Sequence, residues 1–140
     1  MKNAHTSLFY SGLALLIVPA TIAHAIVAPA MTPPDITIFD QKPADGSVLV
    51  KYAYIPKDGY IVIYGAGSDG KAADDPLGSV ALKAGDHRDV KIKLSEPPAS
   101  KTTLWAAMYE DGDNDQKFDK GKDKPVWSAS LPAQNRFSIQ

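Results

Sequence analysis

The sequence predicts an all-β protein: a single Greek-key β-sandwich of seven or eight strands, preceded by a cleavable signal peptide. Three observations lead there. Short apolar or alternating segments recur roughly every 8–13 residues with turn chemistry between them, and no segment carries a helical period of useful length. The acids are lopsided, fourteen Asp against two Glu, beside eleven Pro and ten Gly. Asp, Pro and Gly favour turns, whereas Glu favours helix interiors. The first thirty residues differ from the rest, with Lys2 the only base before Lys42.

The leader comes first. An apolar core, Leu13 to Val18, lies inside a weakly polar run from Leu8 to Ile22, and Ala23-His24-Ala25 closes it with small residues at the -3 and -1 positions. This is the layout of a signal peptide over residues 1–25, removed on export, with no stable membrane insertion afterwards. A spanning anchor needs about 20 consecutive apolar residues, and this run contains Pro19, Thr21 and His24. Residues 26–35 read as a linker, because Pro33-Pro34 blocks both helix and ladder. Residues 36–140 are the sandwich domain.

Within it, Ile36–Phe39 is the first strand and Pro43–Gly46 a turn. Ser47–Ile55 alternates Val48, Val50, Tyr52 and Tyr54 against Leu49, Lys51 and Ala53. Pro56-Lys57-Asp58-Gly59 is a turn with Gly at a position of positive φ. Tyr60–Tyr64 is apolar on both faces, Gly65–Pro76 is a polar loop, and Gly78–Leu82 is a short strand. After a turn at Ala84-Gly85-Asp86, Val90, Ile92 and Leu94 alternate with Lys91 and Lys93, which places the lysines in solvent. Ser95–Ser100 is a loop, and Thr102–Tyr109, with Leu104 and Trp105 in the core, reads as a central strand. The acidic segment Glu110–Asp123 and two last strands, Val126–Leu131 and Arg136–Ile139, complete the chain.

Composition excludes several functions. Fifteen bases against sixteen acids leave no excess to displace counterions, so nucleic acid is not a partner. Cysteine is absent, and with it go disulfides, thiolate metal sites and cysteine nucleophiles.

The run Leu82-Lys83-Ala84-Gly85-Asp86-His87-Arg88-Asp89-Val90-Lys91-Ile92-Lys93-Leu94 resembles a motif of an exported domain family of unknown function, frequent in haloarchaeal and some bacterial surface proteins. Ile38-Phe39-Asp40-Gln41 with Asp45-Gly46, and Thr102-Thr103-Leu104 leading into the Asp-rich loop, are similar to it too. The resemblance implies an immunoglobulin-like sandwich and no reaction. In the family pattern the acidic loop usually carries Gly where this chain has Gln116.

One segment has ligand spacing. Asp111, Asp113, Asp115 and Asp119 fall at positions 1, 3, 5 and 9 of a loop, where side-chain oxygens can converge on one hard cation. The backbone carbonyl of Lys117 would supply position 7. Oxygen-only ligands select calcium over zinc or copper. Position 6 is Gln116 and not Gly, position 12 is Lys122 and not Glu, and no amphipathic helices flank the loop, so it is not an EF-hand. The alternative is a solvated loop whose acids Lys117, Lys120, Lys122 and Lys124 neutralise.

The remaining residues carry little chemistry. His87 is the only histidine after His24 and has no serine in a nucleophile context beside it. Gly65–Gly70 lacks the Lys-Ser/Thr and the helix of a phosphate cradle. The aromatic residues read as core, with an exposed sugar-stacking strip as the alternative. The expectation is a non-enzymatic exported sandwich that binds an envelope or extracellular partner, with weak, structural calcium as its only cofactor. A structural assembly module without an ion, and a carboxylate-based hydrolase, are the other readings. The exported protein should begin at Ile26, which intact-mass measurement checks; a full-length, membrane-retained species would replace cleavage with anchoring.

Overall fold

The computed structural model describes residues 31–140; the expected signal peptide and the linker as far as residue 30 lie outside them. The described residues are all-β. Their strands are β1 (Asp35–Thr37), β2 (Ser47–Ile55), β3 (Gly59–Ala66), β4 (Ala72–Leu82), β5 (Gly85–Lys93), β6 (Thr103–Glu110), β7 (Lys124–Pro125), β8 (Trp127–Ser128), β9 (Leu131–Pro132) and β10 (Gln134–Ser138). No helix among them is long and apolar enough to cross a membrane.

Two antiparallel sheets dominate. One has the order β1-β2-β5; the other has the order β10-β6-β3-β4, with β7 added to β6. Their apolar sides meet in one cluster. Ile36, Val48, Val50, Ala53, Ile55 and Ile92 come from the first sheet, and Ile61, Ile63, Leu104, Ala106, Met108 and Phe137 from the second. The arrangement is sandwich-like. A tight turn opens β2: Asp45 and Gly46 both take positive φ, 53° and 66°, between the mutually hydrogen-bonded Ala44 and Ser47. Two left-handed central residues are what a two-residue hairpin turn requires, and Asp-Gly supplies them at low cost.

The structure departs from the alternation read along β2. Val48 and Val50 face the core as expected, but Ala53 and Ile55 are buried while Tyr52 and Tyr54 are only half-buried. The cause lies across the ladder. Pairing with β5 runs Val50 to Val90 and resumes at Tyr52 to Arg88, leaving out Lys51 and Asp89. Asp89 has φ 51°, and the two side chains form an ion pair instead. Inward-facing parity therefore changes at this point. Tyr52 is turned out beneath the Arg88 guanidinium, 5.4 Å from its ring centroid.

Four further expectations change. The polar loop read over Gly65–Pro76 is mostly strand, since β4 starts at Ala72 and pairs Ala72 with Ala66 and Pro76 with Tyr64 through register shifts. As an edge strand β4 accommodates Pro76, which has no N–H, and the exposed Asp74 and Asp75 discourage further strand pairing. The single strand read over Val126–Leu131 is a small hairpin, β8 with β9, turned at Ala129 with φ 55°. It leaves Trp127 56% exposed, against the expectation of a core tryptophan. Gly59 is required by close approach and not by positive φ, because a Cβ there would lie 2.0 Å from the Tyr109 carbonyl oxygen.

Ile92, Leu94 and Leu104 are buried and Lys91 and Lys93 exposed, as the alternation predicts, while Val90 and Trp105 are half-buried. In chemical denaturation Leu94→Ala should cost about 2–5 kcal/mol. Gly59→Ala should cost about 1–3 kcal/mol by overpacking, and Lys91→Ala should stay within about 0.5 kcal/mol. A neutral Gly59→Ala would mean that β3 and β6 separate easily at this point.

Candidate metal centre

The acidic segment is a closed excursion from one strand. It leaves β6 after Glu110 and returns to it, since β7 pairs Lys124 with Glu110 and Pro125 with Tyr109. Its start is held from outside by the Asp111 N–H, which donates to the Asp58 carbonyl at 3.0 Å. Its two ends are held together by Asp123, a carboxylate only 4% exposed. Asp123 Oδ1 accepts from the Gly112 N–H at 2.9 Å, and Oδ2 accepts from the Asp119 N–H at 2.7 Å. Ionised acceptors make such bonds stronger than neutral ones.

Phe118 fastens the middle of the loop. It packs edge-on against Tyr109, centroids 4.8 Å apart, and against Tyr60 at 5.8 Å. Beneath it lies a second apolar cluster of Tyr60, Val62, Tyr64 and Ala107 on the outer face of β3 and β6. The Tyr64 hydroxyl donates to the Tyr109 hydroxyl at 3.1 Å.

Between these anchors Asp111, Asp113 and Asp115 converge, each offering a carboxylate oxygen within 4.8 Å of the others'. The loop reaches this curl through left-handed backbone at Asn114, φ 59°, and Gln116, φ 60°. Asn tolerates that region; Gln does so at a cost that Gly would avoid. The backbone at position 6 thus takes a left-handed turn although the residue there is not Gly.

Each converging carboxylate has an oxygen already engaged. Asp115 Oδ1 accepts from the Lys117 N–H at 2.8 Å, and Asp111 Oδ2 from the Gln116 N–H at 3.3 Å. Asp113 Oδ2 lies 3.1 Å from Lys122 Nζ. That ammonium holds the Asp113 carboxyl below the usual carboxylate range, and Asp113 in turn raises Lys122. Asp111 Oδ1 is buried with no hydrogen-bond partner, and so is the Tyr60 hydroxyl.

The other expected ligands lie differently. Asp119 Oδ1 accepts from the Gly121 N–H at 2.8 Å, and its Oδ2 is 3.9 Å from Lys122 Nζ. Asp119 serves the turn beside the convergent three, and Lys117 contributes its N–H to Asp115. Asp74 and Asp75 of β4 border a groove with Asp115, Phe118 and Asp119, a juxtaposition with no trace in local spacing. Lys120 crosses it, 2.9 Å from Asp74 Oδ1 and 5.7 Å from the Tyr64 ring centroid. His87 spends a ring nitrogen on the Lys83 carbonyl at 2.7 Å.

A family model, "Domain of unknown function (DUF7282)", matches residues 34–139. The chain belongs to this family. The DUF7282 match spans every strand from β1 to β10 together with the acidic loop, so the loop is part of the domain and not an appendage. No curated protein matches the chain. The resemblance read from the sequence is borne out to this extent, that the chain carries a domain without an assigned activity.

Sequence reasoning missed Asp123, Phe118 and Tyr60. Phe118 left a signal, as the only large apolar side chain between Glu110 and Lys124. Asp123 left none, since a carboxylate that holds backbone N–H groups has no characteristic spacing. Asp123→Ala leaves two N–H groups without their acceptor and should destabilise the domain by about 1–3 kcal/mol in chemical denaturation.

Asp58, which fixes the loop's start, accepts from Lys83 Nζ at 2.7 Å and the Ala84 N–H at 2.9 Å. These bonds, the lysine's foremost, hold its carboxyl below the ordinary range. A depressed folded-state value contributes stability above the ordinary carboxylate pKa of about 3.9 and loses it as pH falls through the depressed value. Lys83→Met should raise the Asp58 titration midpoint towards that ordinary value, read by carboxyl NMR. An unmoved midpoint would assign the depression to the Ala84 N–H alone.

Proposed function

We propose that the protein is an exported, non-enzymatic binding module of the cell envelope or extracellular space. In this reading it has immunoglobulin-like Greek-key connectivity, and its acidic loop is stiffened by a weak calcium site. The observation that carries the reading is the convergence of Asp111, Asp113 and Asp115 within 4.8 Å on a loop fastened at both ends. Strand orders β1-β2-β5 and β10-β6-β3-β4 support the immunoglobulin-like connectivity, because consecutive strands β2 and β3 lie in opposite sheets, as do β4 and β5. The Lys2 leader and Ala23-His24-Ala25 support export. The non-enzymatic part rests on His87, whose ring nitrogen is occupied by a backbone carbonyl. Exposed Trp127, just past the loop, favours binding over a purely architectural role.

Lys122 supports a second reading. Set between Asp113 and Asp119, it neutralises part of the cluster without an ion, as an assembly module with a solvated loop would require.

The two readings part on calcium. Sites of this kind in extracellular modules bind at about 10⁻⁴–10⁻³ M, and a ligand at 100 times its Kd stabilises by roughly 2.7 kcal/mol. A few millimolar calcium should therefore give a smaller but measurable rise in Tm. The rise should exceed that of magnesium and of sodium at matched ionic strength, and Asp113→Asn should remove most of it. Equal rises with all three salts, or a calcium rise untouched by Asp113→Asn, would favour the solvated loop.

A further inference from the structure

A buried polar atom without a partner is uncommon in a folded protein and calls for an explanation. Among the described residues three such side-chain atoms occur, Tyr60 Oη, Trp105 Nε1 and Asp111 Oδ1. Two of the three belong to one place. Asp111 follows Glu110, the register partner of Gly59, which sets it opposite Asp58 and diagonal to Tyr60 at the edge of the convergent cluster. Tyr60 is only 2% exposed, so bulk solvent does not serve its hydroxyl.

We propose that Tyr60 is the inner wall of the cation site: Asp111, Asp113 and Asp115 hold a hydrated divalent ion, Asp111 Oδ1 faces the ion, and Tyr60 Oη accepts from a water carried by the ion. This rests on the calcium reading of the loop. The arrangement satisfies both unpartnered atoms with one ligand. Phe118 packs edge-on against the same ring and covers it from that side. Tyr60 is a positioning residue here, holding one water of the ion rather than binding the ion itself.

Calcium chloride is the probe, titrated into the purified protein with calorimetric readout. Tyr60→Phe keeps the ring that Phe118 packs on and should weaken calcium roughly three- to tenfold, the scale of one hydrogen bond. Tyr109→Phe, which also touches Phe118, should leave affinity unchanged. In ring-labelled wild-type protein the Tyr60 resonance should shift on calcium saturation while those of Tyr52 and Tyr54 stay in place. That measurement decides even where the variant fails to fold. Wild-type protein that binds no calcium would overturn the loop reading and this inference with it. Wild-type binding with an unmoved Tyr60 resonance, or unchanged affinity in Tyr60→Phe, would overturn the role of Tyr60 alone.

Discussion

Strand β3 must be covered on both faces. From Gly59 to Tyr64 every residue is buried, with Ile61 and Ile63 on one side and Tyr60, Val62 and Tyr64 on the other. The first sheet covers the isoleucines. Nothing in a two-sheet sandwich covers the tyrosines, and leaving that much apolar surface in water would forfeit about 25 cal/mol per Å². The acidic loop meets this requirement. It runs back across β3 and β6 and inserts Phe118 between Tyr60 and Tyr109. A segment with nine charged residues of fourteen is thereby held against an aromatic surface by one apolar side chain.

That placement creates the electrostatic problem at the loop. Its acids are brought together because the chain must turn sharply on either side of Phe118, at Asn114 and Gln116 before it and through the Asp119 turn after it. Three devices offset the repulsion. Backbone N–H groups take the oxygens of Asp123, Asp119 and Asp115; Lys122 lies against Asp113; Lys120 reaches over to Asp74. Asp111 is the acid these devices serve least, and its Oδ1 stays buried without a hydrogen-bond partner.

A domain without cysteines depends on packing and turn geometry for its stability. Much of that geometry is local close approach. Gly59 admits the Tyr109 carbonyl, and the Asp45-Gly46 turn sets the start of β2. Exposed ion pairs such as Lys51 with Asp89 and Lys57 with Glu110 add little individually, about 0–1 kcal/mol each. Their value is positional. Lys51 with Asp89 marks the break in the β2–β5 ladder, and Lys57 with Glu110 lies where β6 gives way to the loop.

The sequence by itself determined the all-β class, most strand positions, the buried and exposed sides of Val90–Leu94 and the existence of an acidic loop with ligand spacing. These are legible because they are local: side-chain alternation, turn residues and oxygen spacing are all written within a few adjacent positions. The tertiary structure decided the rest. The facing of Tyr52, Tyr54, Ala53 and Ile55 depends on an irregularity shared with Asp89, far along the chain. The strand in 72–76 exists because β3 offers it a ladder, against the turn preference of Asp and Pro. Asp111, Asp113 and Asp115 gather while Asp119 serves a turn, because Phe118 and Asp123 fix where the loop may bend. Contacts between residues distant in sequence carry no periodicity, so these choices became visible only when the sheets were assembled.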